Sequence, residues 1–186
     1  MPIVLASASH RRQELLKNAG INFVIRPANI DEIQRAGEDA TAFAERMARD
    51  KARAVHPFAP DCVILGADTV VVAGDQVLGK PSDAKDAARM LRLLADRRHF
   101  VITGVCLIGD DFEDVRSETT AVHFAALTDV EIRDYVSTGE PMDKAGAYAI
   151  QGRASRWISK IEGDYFNVVG LPVDLVWRML REHGVQ

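Results

Sequence analysis

The sequence predicts a mixed α/β fold in which a central sheet is flanked by helices. Two observations predict it. Short apolar runs of strand length alternate with stretches of helical periodicity from the third residue onward. A hairpin signal, Gly74-Asp75, inserts antiparallel pairing into an otherwise strand-helix-strand order, so the sheet is expected to be mixed.

The elements follow in order. Ile3 to Ala6 is an apolar run readable as a buried strand, and Ser7 to His10 breaks it. Leu15, Leu16 and Ala19 recur at helical spacing from Arg11 to Ala19, and Gly20 stops that helix. Phe23 to Pro27 reads as a second strand. Thr41 to Val55 is amphipathic, with Phe43, Met47 and Ala54 on one side, and Pro57 and Pro60 end it. Cys62 to Ala67 and Thr69 to Val72 read as a central strand, answered after the Gly74-Asp75 turn by Gln76 to Leu78. Ser82 is the expected cap of a helix from Asp83 to Leu94, with Ala87, Met90, Leu91 and Leu94 as its apolar stripe. Phe100 to Ile108 and Glu118 to Phe124 are strand-like. Thr128 and Glu131 form a capping-box pattern for a helix through Val136. Tyr148 to Ile150 and Trp157 to Ile161 read as short strands, and Leu171 to His183 as the closing helix.

Composition excludes several classes. A chain of 186 residues suits one domain, or two small lobes sharing a cleft, and 47 % hydrophobic residues suffice for a core without staples. With 23 basic and 27 acidic residues the net charge is −4, so neither nucleic acid nor an anionic membrane is an expected partner. Any phosphate site must be local. The two cysteines, Cys62 and Cys106, lie in apolar runs and are expected to be buried reduced thiols. No apolar stretch reaches membrane-spanning length, and the first residues lack a basic n-region; a cytoplasmic protein is expected.

The candidate chemistry is concentrated in a few places. Ser7 to Arg12 offers two hydroxyls and two guanidiniums where a strand passes into a helix start, a favourable place for an anion. Taken alone, an ordinary cap followed by solvated arginines explains it equally well. Asp68 sits between two apolar runs, where a carboxylate is costly unless paired or metal-bound. A strand bending at Gly66 is expected to place it at a site. Gly74 through Lys80 fits G-x-x-x-x-G-K, but Pro81 supplies no hydroxyl and Gly74 reads as a hairpin turn, so this is not a nucleotide P-loop. Lys80 and Lys51 are each unremarkable alone, more simply read as solvated lysines. Gly139 to Gly152 carries Glu140, Asp143, Lys144 and Gln151 among small residues; its simpler reading is a surface loop with internal ion pairs. Gly163 to Pro172 is read as a second loop of that kind. The five histidines show no ligand spacing, both cysteines look buried, and there is no G-x-S-x-G elbow. Carboxylates with a hard cation fit better: Glu32 and Asp68, with Asp31 or Glu140 as further candidates.

Five blocks together resemble the Maf family of nucleoside triphosphate pyrophosphatases, once described as septum-formation inhibitors. They are Leu5 to Leu16, Gly66 to Thr69, Leu78 to Pro81, Glu140 to Gly152 and Asn167 to Pro172, and the resemblance runs from about Val4 to Leu180. It implies a fold like that of inosine triphosphate pyrophosphatases, with two lobes around a cleft, and hydrolysis of a nucleoside triphosphate to monophosphate and pyrophosphate with a divalent cation, Mg²⁺ or Mn²⁺. Ala147 to Gly152 resembles the branch acting on dTTP and UTP, rather than the branch acting on 7-methyl-GTP. By motif match, Asp68 falls on the family's proton acceptor; Arg11, Thr69 and Gln151 on positions tied to substrate choice; Ser7, Arg12, Lys51 and Lys80 on polar cleft positions; and Glu32 on a cleft acid. Whether Asp68 deprotonates water or holds the metal with Glu32 stays open in the sequence. Two departures are His10, where the family usually has proline, and Ala95-Asp96 in place of Ser-Gly. A homodimer is suggested by the resemblance alone. The alternative class is a nucleotide-binding regulator of septum formation without essential catalysis, whose phenotype would survive loss of Asp68. An α/β monophosphatase fits less well, since no phosphatase-like Asp pair or reactive cysteine loop is found.

Overall fold

A computed structural model describes residues 1–185. Seven strands, β1 (Ile3–Leu5), β2 (Val24–Ile25), β3 (Val63–Ala73), β4 (Gln76–Leu78), β5 (Arg98–Ile108), β6 (Glu113–Phe124) and β7 (Ile158–Glu162), form one sheet. Its order is β2-β1-β3-β5-β6-β7, with β4 paired to β3. The helices are α1 (His10–Asn18), α2 (Ala40–Val55), α3 (Ala84–Leu94), α4 (Asp129–Ser137), α5 (Tyr165–Val169) and α6 (Val173–Glu182). Pairing of β1 with β2 and with β3 is parallel, while β3–β4 and β6–β7 are antiparallel. The mixed α/β sheet is as the sequence predicts.

The chain divides into two compact units. The first holds Met1–Asp68, Thr103–Glu118 and the chain from Gly170 on; the second holds Thr69–Ile102 and Thr119–Val169. In the first unit Val4, Ala6, Ile64, Cys106 and Ile108 from the sheet pack with Ala48, Ala52 and Val55 of α2. Glycine permits this packing. A Cβ on Gly66 would lie 3.0 Å from the Cβ of Ala52 and closer still to the Ala48 carbonyl oxygen. A Cβ on Gly104 would lie 2.6 Å from the amide nitrogen of Glu45. The helix backbone thus rests directly on the strands, and its seam is Ala44, Ala48 and Ala52 rather than a face including Ala54. In the second unit α3, α4 and the segment from 147 to 157 bury Leu91, Leu94, Tyr135, Tyr148 and Trp157 against Val71, Val101, Val122 and Phe124.

Several expectations are corrected. β3 runs unbroken through Gly66 and Asp68, so the glycine serves contact with α2 and not a bend. Only Val24 and Ile25 pair in the second strand. Asp83, not Ser82, caps α3; its side chain accepts from the Asp86 amide, and the Ser82 amide donates to the Asp86 carboxylate. Residues 148–150 enter a turn rather than a strand, and the presumed loop from Gly163 to Pro172 contains α5. Cys106 is buried, its thiol pushed up to about 12 by burial first, whereas Cys62 is only partly covered; both are free. The departure at Asp96 has a backbone consequence, since that residue takes a left-handed φ of +53°. Thr128 and Glu131 form the expected capping box on α4.

Candidate active site

The first unit gathers one cluster by topology. In the β2-β1-β3 order, with both pairings parallel, the chain leaves β1 to one side and returns past it to the other, a switch point of the kind that places ligands at the carboxyl ends of the strands. Leu5 pairs with Leu65. Ser7 therefore leaves the end of β1 beside the stretch of β3 that carries Asp68.

Ser9 caps α1, accepting from the Arg12 amide, and this turns the first helical residues back onto the strand end. Arg12 is buried. Its Nη1 donates to Ser7 Oγ at 3.1 Å and its Nε to the Gly170 carbonyl at 2.8 Å. The Ser9 amide also donates to Ser7 Oγ. The first and last motif blocks are thus tied by one guanidinium. Burial acts most strongly on Arg12 and lowers its pKa; the charges of Asp68 and Glu32 work in the opposite sense, and Arg11 adds to the lowering. Arginine nonetheless keeps its charge in proteins, so this is a buried fixed cation.

Lys51 reaches in from α2. Its Nζ lies 2.6 Å from Asp68 Oδ1 and 2.6 Å from Glu32 Oε1. Lys51 and Asp68 are 8 % and 7 % exposed, while Glu32 stands on an exposed segment. A carboxylate so placed is tolerable because a cation meets it. The cluster therefore presents two carboxylates converging on one positive point, with the Arg12 guanidinium, Ser7 and the first turn of α1 nearby. Such an array suits an anionic oxygen-rich ligand and a proton acceptor in one place.

Arg11, in the first turn of α1, is partly buried, and Asp31 is exposed beside Glu32; the remaining candidates belong to the second unit. Thr69 follows Asp68 on β3 and is partly buried. Lys80 is exposed just past β4. The Gly146 amide donates to the Gly79 carbonyl at 3.0 Å, which joins the Lys80 block to the block carrying Gln151. Gly146 has φ +69°, and a Cβ there would press on Val71 at 2.8 Å. Gln151 is exposed in a turn closed by the Gly152 amide donating to the Ala149 carbonyl.

The sequence did not point to the Gly170 carbonyl or to Asn167 as structural partners. The Asn167 side chain donates to the Val101 carbonyl and to Thr120 Oγ1, both at 3.0 Å. Both residues fall inside the Asn167 to Pro172 block, which was the available signal. Glu140, weighed as a cation ligand, instead accepts from Tyr135 and from the Arg153 amide.

A family model described as Maf-like protein matches residues 2–183. A protein of Koribacter versatilis named dTTP/UTP pyrophosphatase is 57 % identical over 185 residues, spanning 100 % of this chain and 96 % of the relative. Relatives of the same name from Symbiobacterium thermophilum and a Geobacillus species are 50 % and 46 % identical over 182 residues; each match takes in 98 % of this chain, with 94 % and 98 % of the respective relative. With a matching model across nearly all its residues and full-length relatives at this identity, the chain belongs to the Maf family.

Proposed function

We propose that this chain hydrolyses nucleoside triphosphates, dTTP and UTP foremost, to the monophosphate and pyrophosphate. The carrying observation is the Lys51 ammonium held between Asp68 and Glu32. The names of the relatives supply the substrate class. Ser7, Arg11, Arg12, Lys51 and Lys80 are assigned to the phosphates, and Thr69 and Gln151 to the pyrimidine. Fixed donors at the non-bridging oxygens stabilise the charge spread over them in the transition state. Water attacks the α-phosphorus, the bond from that phosphorus to the bridging oxygen breaks, and pyrophosphate leaves. Asp68 takes the proton from the water.

A divalent cation belongs to this proposal. Its fit is tested by the two carboxylates: each is 2.6 Å from the same nitrogen, so they already converge on a cation. Two hard oxygen donors completed by substrate phosphates match the way Mg²⁺ is usually held. Among the described residues no group of three or more metal-binding side chains occurs. Asp68 and Glu32 would hold it, and when bound it supplies charge neutralisation at the phosphates.

Residues 1–186 act in this reading as one functional domain in the cytoplasm. No helix among the described residues is long and apolar enough to cross a membrane. The homodimer rests on resemblance alone.

The test is product analysis with purified protein and Mg²⁺ or Mn²⁺, offering dTTP, UTP, CTP, 7-methyl-GTP and ITP separately. Monophosphate and pyrophosphate from dTTP and UTP are expected. Turnover of 7-methyl-GTP alone overturns the pyrimidine assignment, and no turnover by folded protein returns the regulatory reading. Asp68→Asn is expected to cut turnover by roughly 10² to 10⁴ while folding is retained. Full activity in that variant would remove Asp68 from the chemistry.

A further inference from the structure

The turn that carries Gln151 is gripped at both ends by one pair, the buried Tyr135 and the partly buried Glu140. Tyr135, on α4, is 1 % exposed, and its ring meets Trp157 edge-on at 5.2 Å. Its hydroxyl donates to Glu140 Oε1 at 2.9 Å and accepts from the Ala149 amide at 3.3 Å. Glu140 Oε1 also accepts from the Arg153 amide at 3.1 Å. Between those two amides lie Ile150, Gln151 and Gly152, closed by the Gly152 to Ala149 backbone bond.

The backbone of Glu140 is fixed in turn. The Glu140 amide donates to Thr138 Oγ1, and Lys144 Nζ donates to the Glu140 carbonyl at 2.7 Å. Gly152 leaves room for the carboxylate, because a Cβ there would collide with Glu140 Oε1 and lie 3.0 Å from Oε2. Burial, and after it the bond to Glu140, hold the Tyr135 phenol protonated, so it remains a donor. The Gln151 side chain itself is exposed.

We propose that Glu140, with Tyr135, is a positioning residue for base selection: the pair fixes the backbone on both sides of Gln151, so that this amide meets a pyrimidine edge in one orientation. The inference rests on the assignment of Gln151 to the base. A side-chain amide distinguishes bases by placing one donor and one acceptor, and a loose turn blurs that pattern. Glu140 touches neither the phosphates nor the attacking water in this account, so its loss affects selection and not the chemical step.

The experiment measures kcat and KM for dTTP and CTP in the full chain and in Glu140→Ala, Tyr135→Phe, Glu140→Gln, Gln151→Ala and the Glu140→Ala/Gln151→Ala double variant. Circular dichroism and melting confirm folding. Glu140→Ala and Tyr135→Phe are each expected to lower the dTTP-to-CTP ratio of kcat/KM by roughly tenfold or more, through KM, with kcat for dTTP nearly unchanged. Glu140→Gln keeps an Oε1 acceptor and is expected to restore most of the ratio. In the double variant the loss should not exceed that of Gln151→Ala, because both changes act on one contact. If Gln151→Ala lowers the ratio while folded Glu140→Ala and Tyr135→Phe do not, the positioning role is overturned alone. If Gln151→Ala leaves the ratio intact while dTTP is still hydrolysed, base reading by Gln151 falls and this inference with it, and the hydrolytic reading stands. Absence of turnover in the parent chain overturns both.

Discussion

Gly104→Ala tests whether the close seat of α2 on the sheet sets the position of Lys51. The new Cβ would stand 2.6 Å from the Glu45 amide nitrogen and closer to the Ala44 carbonyl, all backbone atoms that cannot rotate away. Ordinary contact lies near 3.5 Å, so α2 must retreat by roughly 1 Å. Overpacking of this kind costs about 1–3 kcal/mol. For a chain of this size that lowers Tm by roughly 2–12 °C. Lys51 rides on α2, and its 2.6 Å contacts to Asp68 and Glu32 would stretch beyond hydrogen-bonding range with such a displacement. Misplacement by 1 Å is expected to lower pyrophosphate release by about 10²-fold. Gly104 lies on β5, which contributes no proposed substrate contact, so lost turnover must come through the helix. Gly79→Ala is the control, since a Cβ there meets nothing within 4 Å. Calorimetry and a pyrophosphate-release assay on both variants decide the matter. Gly104→Ala melting within about 1 °C of the parent with full turnover would refute the reasoning, because that margin is below the smallest expected shift.

Two further outcomes are expected. His99 is fully buried, with Nε2 2.8 Å from the Tyr148 hydroxyl, and burial above all, then the charge of His123, pushes it down to about 4. A base with a depressed folded pKa favours the folded state while neutral, so its contribution is present above the unfolded value near 6.5 and is lost as pH falls from there to about 4. The full loss is roughly 3 kcal/mol; urea unfolding from pH 7 to pH 4 should show it, and folded His99→Gln should flatten that part of the profile. Thr128→Ala removes the cap that accepts from the Glu131 amide at 3.2 Å and should cost about 1 kcal/mol, or roughly 2–4 °C in Tm; an unchanged melting temperature would mean that the box does not hold α4.

Local signals carried much of the fold into the sequence. The capping box at Thr128, the Gly74-Asp75 hairpin and the apolar stripe of α3 each depend on residues within a turn or two, and each is found where the pattern places it. Signals set by distant partners were misread. Gly66 looks like a hinge when only its own strand is considered; its reason is the Ala48 carbonyl of a helix that precedes it in the chain. Glu140–Asp143, Ala145–Ala147 and Arg153–Trp157 fold as short 3₁₀ turns with too few residues to show a period, so the irregular stretch Tyr148 to Ile150 between them passes for a strand.

The same division governs the candidate site. Asp68 announces itself, because a carboxylate between two apolar runs demands a partner. The partner does not announce itself: Lys51 is a lysine on an amphipathic helix, indistinguishable by pattern from one facing water. It becomes a buried cation only because α2 packs on glycines, and that packing depends on Ala44 and Ala48 as much as on Gly66 and Gly104. Glu140 presents the reverse case. By residue type it qualifies as a cation ligand, yet its acceptors are taken by Tyr135 and Arg153, one turn before and more than ten residues after it. Residue type thus fixes what a side chain can do, and the small residues that bring backbones together determine which of those possibilities the fold uses.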